Sequence, residues 1–495
     1  MEKIIPAIRV ICFTTLLLAF SSHASAEDIT NAIDAFLKHR VEVEKQDVGI
    51  VVGIVDEHRS TVISHGKLDN GTEQEVNGDT VFEIGSITKT FTGILLQDMV
   101  EQRQMKLDDP VAQYLPASVK LPTYNGRQIT LLQLATHTSG FPDVPDNLDP
   151  KLADNSHAAY TFEKLDAFIS GYQLTREPGA KYEYSTVGIA LLGQAIALKA
   201  GTNYESLVVD RICRPLKMDS TRITLTPELK SRFAEGHNFY RYKAAHTDWG
   251  ALSPGAALHS SANDLLKFVS ANLGLAVFSL TPVMKKTQVP HFQAHMDSDT
   301  DVDTDIGVTW MIMHDSEDTT VIGHGGLTRG FSTFIGFDTA RHRGVVVLCN
   351  SLDLDSYRIG RILLQSEWNS ELRPSETKLN DQTKSAFVGQ YKISAAQAVG
   401  KLTRHGIGIR LEGDHLFAQI TGPNTWPKHV LTPPVMDELV PESRAVYFER
   451  LSGVRLTFSR DVSNHVTGIS GRYLGHPFTY DKFSDRPPKA PVISN

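Results

Sequence analysis

Two groups of short apolar runs stand far apart in the chain, with a long helical stretch between them. That separation constrains the fold more than any other feature. Val48 to Val55 and Thr61 to His65 read as a strand pair across the turn Glu57-His58-Arg59, and Phe331 to Phe337 with Gly344 to Leu348 read as a second hairpin. From Ser86 to Phe268 the pattern is mostly helical. Thr130-x-x-Gln133 predicts a capping box, and Ser260 or Ser261 predicts an N-cap before Asn263-Asp264-Leu265-Leu266. Strands at both ends that enclose helices imply one antiparallel sheet with helices on its faces and a helical lobe, an α+β arrangement.

A boundary follows. The helical stretch Tyr357 to Asn369 gives way to the polar, proline-broken Ser370-Glu371-Leu372-Arg373-Pro374, which opens an expected linker over 370–383. Beyond it the period changes to two. Ile407, Ile409 and Leu411 alternate with Gly408 and Arg410, and Val454, Leu456 and Phe458 alternate with Arg455, Thr457 and Ser459. Turn signals such as Glu412-Gly413-Asp414 separate the runs, so residues 384–484 are expected to form a small all-β barrel or sandwich. The proline-rich end, 485–495, reads as a loose tail.

The first 26 residues read as a secretory signal: Lys3 and Arg9, an apolar core from Val10 to Phe20, then Ala24-Ser25-Ala26. The core is shorter than the ~20 residues a transmembrane helix needs. The expectation is export across the inner membrane, into the periplasm of a Gram-negative cell, without stable membrane insertion. The formal charge of −8 includes a net +1 from Glu2, Lys3 and Arg9, which leaves −9 without the signal. An acidic chain without a basic stripe disfavours nucleic acid as a partner. Cys213 and Cys349 remain, with no geometric reason in the sequence for a disulfide; Cys349 ends the apolar run Val345 to Leu348 and reads as a packing residue.

Chemistry concentrates at Ser86-Ile87-Thr88-Lys89, where a hydroxyl stands three residues before an amine at the start of a helical pattern. Ile87, Phe91, Ile94, Leu95 and Met99 recur behind it at helical spacing, so one face is buried. Residues i and i+3 share a face, roughly 5–6 Å apart at Cβ. A serine that must lose a proton and a lysine whose pKa burial depresses suit that spacing. Two later segments join it: Pro178-Gly179-Ala180-Lys181-Tyr182-Glu183-Tyr184-Ser185-Thr186, and Gly323-His324-Gly325-Gly326-Leu327-Thr328-Arg329-Gly330.

In order and spacing these three segments resemble the motifs of the serine β-lactamase and penicillin-binding-protein superfamily, in its class C β-lactamase and D,D-peptidase-like branch. The resemblance covers roughly residues 30 to 365, within a hydrolase domain over 27–369, and includes Leu107 to Pro116, Leu134 to Gly140 and Ser260 to Leu265. It implies an active site in the groove between sheet and helical lobe. Ser86 would be the nucleophile, Lys89 the base, and Tyr184 the proton shuttle that also activates the deacylating water. It implies an oxyanion hole from the backbone N–H groups of Ser86 and Leu327, with Gly325 and Gly326 permitting close approach. No deacylating Glu of the class A kind is identifiable. The all-β end resembles the lipocalin-like module that often follows such domains.

Two positions depart from the family pattern. Thr186 stands where the second motif usually ends in asparagine, and His324-Gly325-Gly326 replaces Lys-Thr-Gly, whose cation and hydroxyl hold a substrate carboxylate. Arg329 or Thr328 are the candidates to compensate. His137 reads as fixing a turn. The alternating Asp297 to Asp305 lacks the glycine and glutamate of an EF-hand loop and reads as a solvated acidic loop, with His291 and His295 beside it. The acyl chemistry calls for no metal or organic cofactor. Three functions follow: a serine hydrolase cleaving β-lactams or D-amino-acid peptides, an esterase on the same machinery, or a non-catalytic binder of cell-wall fragments. The partner in each is a small molecule or peptide, and the sequence is silent on oligomeric state.

Overall fold

The computed structural model describes residues 26–148, 159–238, 241–294, 303–316, 319–352, 355–365, 381–393, 406–412, 415–421, 436–441, 446–449, 455–473 and 476–486. The predicted hairpins are β1 (Gly49–Val55) with β2 (Ser60–Gly66), and β9 (Ser332–Asp338) with β10 (Arg343–Cys349). They join through β1 and β10, where Val51 faces Leu348 and Val52 faces Val347. Segments from opposite ends of the domain therefore form the middle of one sheet. Between the hairpins in sequence lie the two-residue strands β3 (Phe82–Glu83) and β4 (His259–Ser260), paired with each other. The sheet then extends through β5 (Phe292–Ala294), β6 (Asp303–Ile306), β7 (Met311–Ser316) and β8 (Thr319–Leu327), in the order β2-β1-β10-β9-β8-β7-β6-β5.

Successive strand residues point to opposite faces, and β10 serves two cores in that way. Val345, Val347 and Cys349 pack with Ile33 and Leu37 of helix Ala26–Glu42 and with Ile359 and Leu363 of helix Ser356–Leu364. Val346 and Leu348 turn the other way, into a larger core with Leu266 and Val269 of helix Ala262–Leu273. That helix is capped by Ser261, whose side chain accepts from the Asp264 N–H, and Thr130 and Gln133 form the capping box. Helix Thr88–Glu101 is buried on every side from Thr88 to Met99, as expected of a helix through the centre of a domain. No disulfide joins the buried Cys213 and Cys349.

Three expectations need correction. The linker does not run to 383, because helix Asp381–Phe387 begins inside it; its Phe387 side chain packs on Phe458, with ring centroids 4.3 Å apart. The acidic run is not wholly a loop: Asp303 and Asp305 belong to β6, and Asp305 accepts from His314 Nε2 at 3.1 Å. β6 is paired on both sides, by β5 and β7, and tolerates alternating acids because Thr304 and Ile306 are buried while the face carrying Asp303 and Asp305 meets water. His291 is exposed, with its backbone N–H bonded to Ile306, while His295, Asp297, Asp299 and Asp301 lie outside the described residues. The sequence also yielded only two hairpins, whereas β5 to β8 are short or rich in Gly, Thr and Asp and lack strong apolar alternation.

Among the described residues the all-β end is a closed antiparallel barrel of eight strands, from β11 (Gly389–Ile393) to β18 (His476–Ser484), sealed by pairing of the first with the last. Ile407, Ile409, Leu416, Leu456, Phe458 and Ile469 fill it. Closure removes the free edges a sheet would otherwise expose.

A buried ion network ties the N-terminal helix to the sheet's outer layer. Arg40 Nε lies 2.6 Å from Asp47 and its Nη1 lies 2.8 Å from Asp355, all three nearly without solvent contact. Removing the cation would strand the buried Asp47 carboxylate and leave Asp355 to Arg358 alone, so Arg40→Ala is expected to destabilise the domain by about 3–5 kcal/mol. Denaturant unfolding of the full chain, compared with the parent, checks this.

Candidate active site

Ser86 sits in a single 3-10 turn, Gly85–Ile87, that leads directly into helix Thr88–Glu101. Gly85 takes φ +50°, and a Cβ there would lie 2.9 Å from the Leu327 nitrogen. Only glycine permits both that backbone and that approach. Ser86 is half-buried, while Ile87, Thr88 and Lys89 behind it are sealed, so the hydroxyl is what the turn presents outward.

Lys89 has no solvent exposure. Its Nζ lies 3.0 Å from Ser86 Oγ, 3.2 Å from Thr186 Oγ1 and 2.9 Å from the Gly255 carbonyl. Burial lowers its pKa from 10.5 to about 8, opposed by the Asp143 carboxylate. The partners dictate how a neutral amine would use its one lone pair. The Gly255 oxygen can only accept. Thr186 spends its own proton on Asp143 Oδ1, at 2.7 Å, and so accepts from Lys89 as well. Two N–H bonds are thereby committed, and the lone pair is left for the Ser86 proton.

Thr186 thus contacts the lysine although its side chain is shorter than asparagine and carries no amide. Asp143 makes this possible, accepting also from the Thr186 N–H at 3.0 Å at the start of helix Thr186–Ala200. Sequence reasoning missed Asp143. It acts on a helix that starts 43 residues later, so no local capping pattern could mark it.

The Tyr184 hydroxyl interacts with the Ser86 side chain. Its ring lies under the lysine, with Nζ 4.7 Å from the centroid, and against the His137 ring at 4.5 Å. Burial first, and Asp143 second, push its pKa well above 10, so it is a phenol throughout the neutral range. His137 does fix a turn: it takes φ +57°, its carbonyl accepts from the Glu183 N–H and its Nδ1 from the Ser185 N–H at 3.1 Å. It also supports the Tyr184 ring, which spacing alone did not reveal. Burial keeps this histidine neutral, its pKa well below the usual 6.5.

The third segment is the end of β8. Pairing with β7 stops at Gly323, while pairing with β9 continues to Leu327 opposite Ser332. Hydrogen bonds along an antiparallel pair alternate in direction. The Thr328 N–H donates to Phe331, so Leu327, one residue back, directs its N–H away from β9 and toward the Ser86 turn. The side of β8 left free by β7 is filled by that turn. Gly326 permits it, since a Cβ there would lie 2.0 Å from the Ile84 oxygen. Thr333 Oγ1 bridges the two, 3.1 Å from both Ile84 O and Gly326 O. This clamp was also invisible in sequence, because Thr333 reads as an ordinary strand residue.

His324 is almost fully buried and lies 2.6 Å from the Gly325 carbonyl through Nδ1. A carbonyl needs a donor, so Nδ1 carries the proton and Nε2 offers a lone pair. Burial first, then the neighbouring Lys89, drops its pKa to about 3. The position usually held by a cation is therefore neutral in this chain. Gly325 and Leu327 are half-buried, Thr328 is buried, and Arg329 is a half-buried residue in the β8–β9 turn.

Fold and site together define a domain of the β-lactamase and transpeptidase type. The chain belongs to the Beta-lactamase family, whose pattern matches residues 31–367. It is 28% identical over 264 residues to a β-lactamase of Escherichia coli K12, covering 53% of this chain and 66% of that one. It is 31% identical over 229 residues to the D-alanyl-D-alanine-carboxypeptidase/endopeptidase AmpH of the same organism, covering 44% and 58%. Among solved structures, the octameric penicillin-binding protein homologue from Pyrococcus abyssi superposes with a TM-score of 0.62 at 19% identity, over 92% of this chain and 100% of that one. The last match reaches into the barrel and speaks to fold alone.

Gly326→Ala would push the β8 strand off the Ser86 turn, its Cβ meeting the Ile84 oxygen and the Thr333 hydroxyl but not Ser86, Lys89 or Tyr184. The expected result is a folded protein whose kcat falls about 10²–10³-fold, the usual cost of losing one oxyanion donor. Steady-state kinetics beside a circular dichroism spectrum checks it.

Proposed function

We propose that this chain is an exported serine hydrolase that forms an acyl-enzyme on Ser86 and cleaves an amide, either a β-lactam or a peptide containing D-amino acids. The observation that carries the proposal is the buried Lys89 amine, 3.0 Å from Ser86 Oγ, with its remaining hydrogen bonds already committed. Neutral Lys89 takes the serine proton as Ser86 attacks the carbonyl, and the Ser86 and Leu327 N–H groups receive the oxyanion. Tyr184, a phenol beside Ser86, hands its proton to the leaving group and regains one from the Lys89 ammonium, which holds the proton taken from the serine. In the second half-reaction it orients the deacylating water. The names of the relatives, β-lactamase and D-alanyl-D-alanine-carboxypeptidase/endopeptidase, support the amide class. Export rests on the signal-like first 26 residues; among the described residues no helix is long and apolar enough to cross a membrane.

A second reading, a carboxylesterase on the same machinery, is favoured by one observation. His324 supplies no cation for a substrate carboxylate, with a pKa of about 3. Arg329, on the neighbouring turn, is the cation left to take that role.

Intact mass spectrometry of the protein mixed with benzylpenicillin decides between them. A penicilloyl adduct, lost in Ser86→Ala, is expected, together with turnover reduced about 10²–10⁴-fold in Tyr184→Phe. No adduct, with turnover of short acyl esters, selects the esterase. The acylation rate is expected to rise with pH along a limb centred at about 8, because only the deprotonated lysine acts as base. A rate flat through that range would instead exclude Lys89 as the base.

A further inference from the structure

A second polar cluster lies behind the nucleophile turn and takes no part in the acyl chemistry. The β3–β4 pairing sets Glu83 directly opposite His259. His246 approaches from the loop outside, with its Nδ1 2.5 Å from Glu83 Oε1, which also accepts from the Thr247 N–H at 3.1 Å. One ligand-capable atom from each of Glu83, His246 and His259 falls within 4.8 Å of the others. Phe233 walls the cluster, edge-on to both histidines at 5.5 and 5.4 Å between centroids.

An ion pair between Glu83 and His246 accounts for those two residues and leaves His259 unexplained. His259 is 4% exposed, and its Nδ1 lies 3.3 Å from the Arg222 carbonyl. That contact makes Nδ1 the protonated nitrogen and Nε2 the bare one, and Nε2 is buried with no hydrogen-bond partner. A buried lone pair without a donor is costly unless something occupies it. The imidazole is also in the state a metal requires. It is neutral, its pKa lowered by burial to about 4, and it is oriented by a carbonyl on its other nitrogen.

We propose that Glu83, His246 and His259 form a binding site for a divalent transition metal of the zinc type. Two imidazoles and a carboxylate suit Zn²⁺ and its neighbours, whereas Ca²⁺ and Mg²⁺ need oxygen-rich shells. Ligand atoms at ~2.0–2.1 Å from a tetrahedral ion stand roughly 3.4 Å apart, so the 2.5 Å contact between Glu83 and His246 must open while any wider span in the cluster closes. His246 is the exposed ligand and has the freedom to move. Binding would displace any proton shared by Glu83 and His246, and the fourth position would take water. The ion would pin β3 to β4, three residues ahead of Ser86, as a brace for the nucleophile turn.

The test is calorimetric titration of the untagged full-length protein with ZnCl₂, repeated with CaCl₂ and MgCl₂ and with the exposed-ligand variant His246→Ala. The expected result is one saturable equivalent of Zn²⁺, binding weakened at least tenfold in His246→Ala, and no response to Ca²⁺ or Mg²⁺. Co²⁺ should give the visible absorption of a tetrahedral site in the parent and lose it in the variant. Zn²⁺ should also raise the melting temperature of the parent alone. His246→Asn serves if the alanine variant proves misfolded by circular dichroism. No saturable binding, or Zn²⁺ binding with unchanged stoichiometry and affinity in the variant, overturns the proposal; the latter would place the metal on other histidines.

Discussion

The site depends on keeping an ammonium-forming side chain out of water. Lys89 sits at the first turn of a helix buried on every side, and moving its pKa from 10.5 to about 8 corresponds to about 3 kcal/mol against the charged form. The folded protein binds that proton less readily than the unfolded chain. This contribution therefore disfavours folding below about pH 8 and fades as pH rises from there toward 10.5. A site that carries such a cost requires a core that does not yield, which the all-apolar surroundings of Ile87, Phe91 and Leu95 supply. The three fixed contacts of Nζ then turn a merely neutral amine into a directed one.

Much of this was legible in sequence because the residues involved act locally. Ser86, Lys89 and Tyr184 lie in short segments with their own spacing, and the two strand pairs carry continuous apolar runs. Thr130 with Gln133 and Ser261 announced their caps for the same reason. What stayed hidden acts across the chain. Asp143 supports Thr186, Thr333 ties β8 to Ile84, and Glu83 meets His259, each through contacts that the tertiary fold alone creates. The strands β5 to β8 escaped notice because small and acidic residues give them little alternation. The helix Asp381–Phe387 was hidden in a polar stretch whose single useful signal, Phe387, is buried in the barrel.

The departures at Thr186 and His324 differ in consequence. At position 186 the hydroxyl replaces an amide without loss of the lysine contact, because Asp143 fixes which way its proton points. At position 324 a neutral, buried imidazole replaces a cation, and nothing on β8 restores the charge. The catalytic half of the site is thus more completely assembled than the half that would grip a carboxylate. The rim beside it is half-buried, and Arg329 stands there.

One segment sets the nucleophile turn from behind. Gly255 gives its carbonyl to Lys89, Leu258 donates its N–H to Thr88 Oγ1 and accepts from the Ile84 N–H, and His259 pairs with Glu83. From the front, Gly326 and Thr333 hold the same turn against β8. A 3-10 turn this short could not keep Ser86 aimed by itself, since its poorer hydrogen bonds give little rigidity. Its precision is borrowed from two distant stretches of chain that meet only when the sheet has closed between β1 and β10. The catalytic geometry is therefore a property of the completed domain, and a Ser-x-x-Lys helix without that sheet would carry the residues but not their alignment.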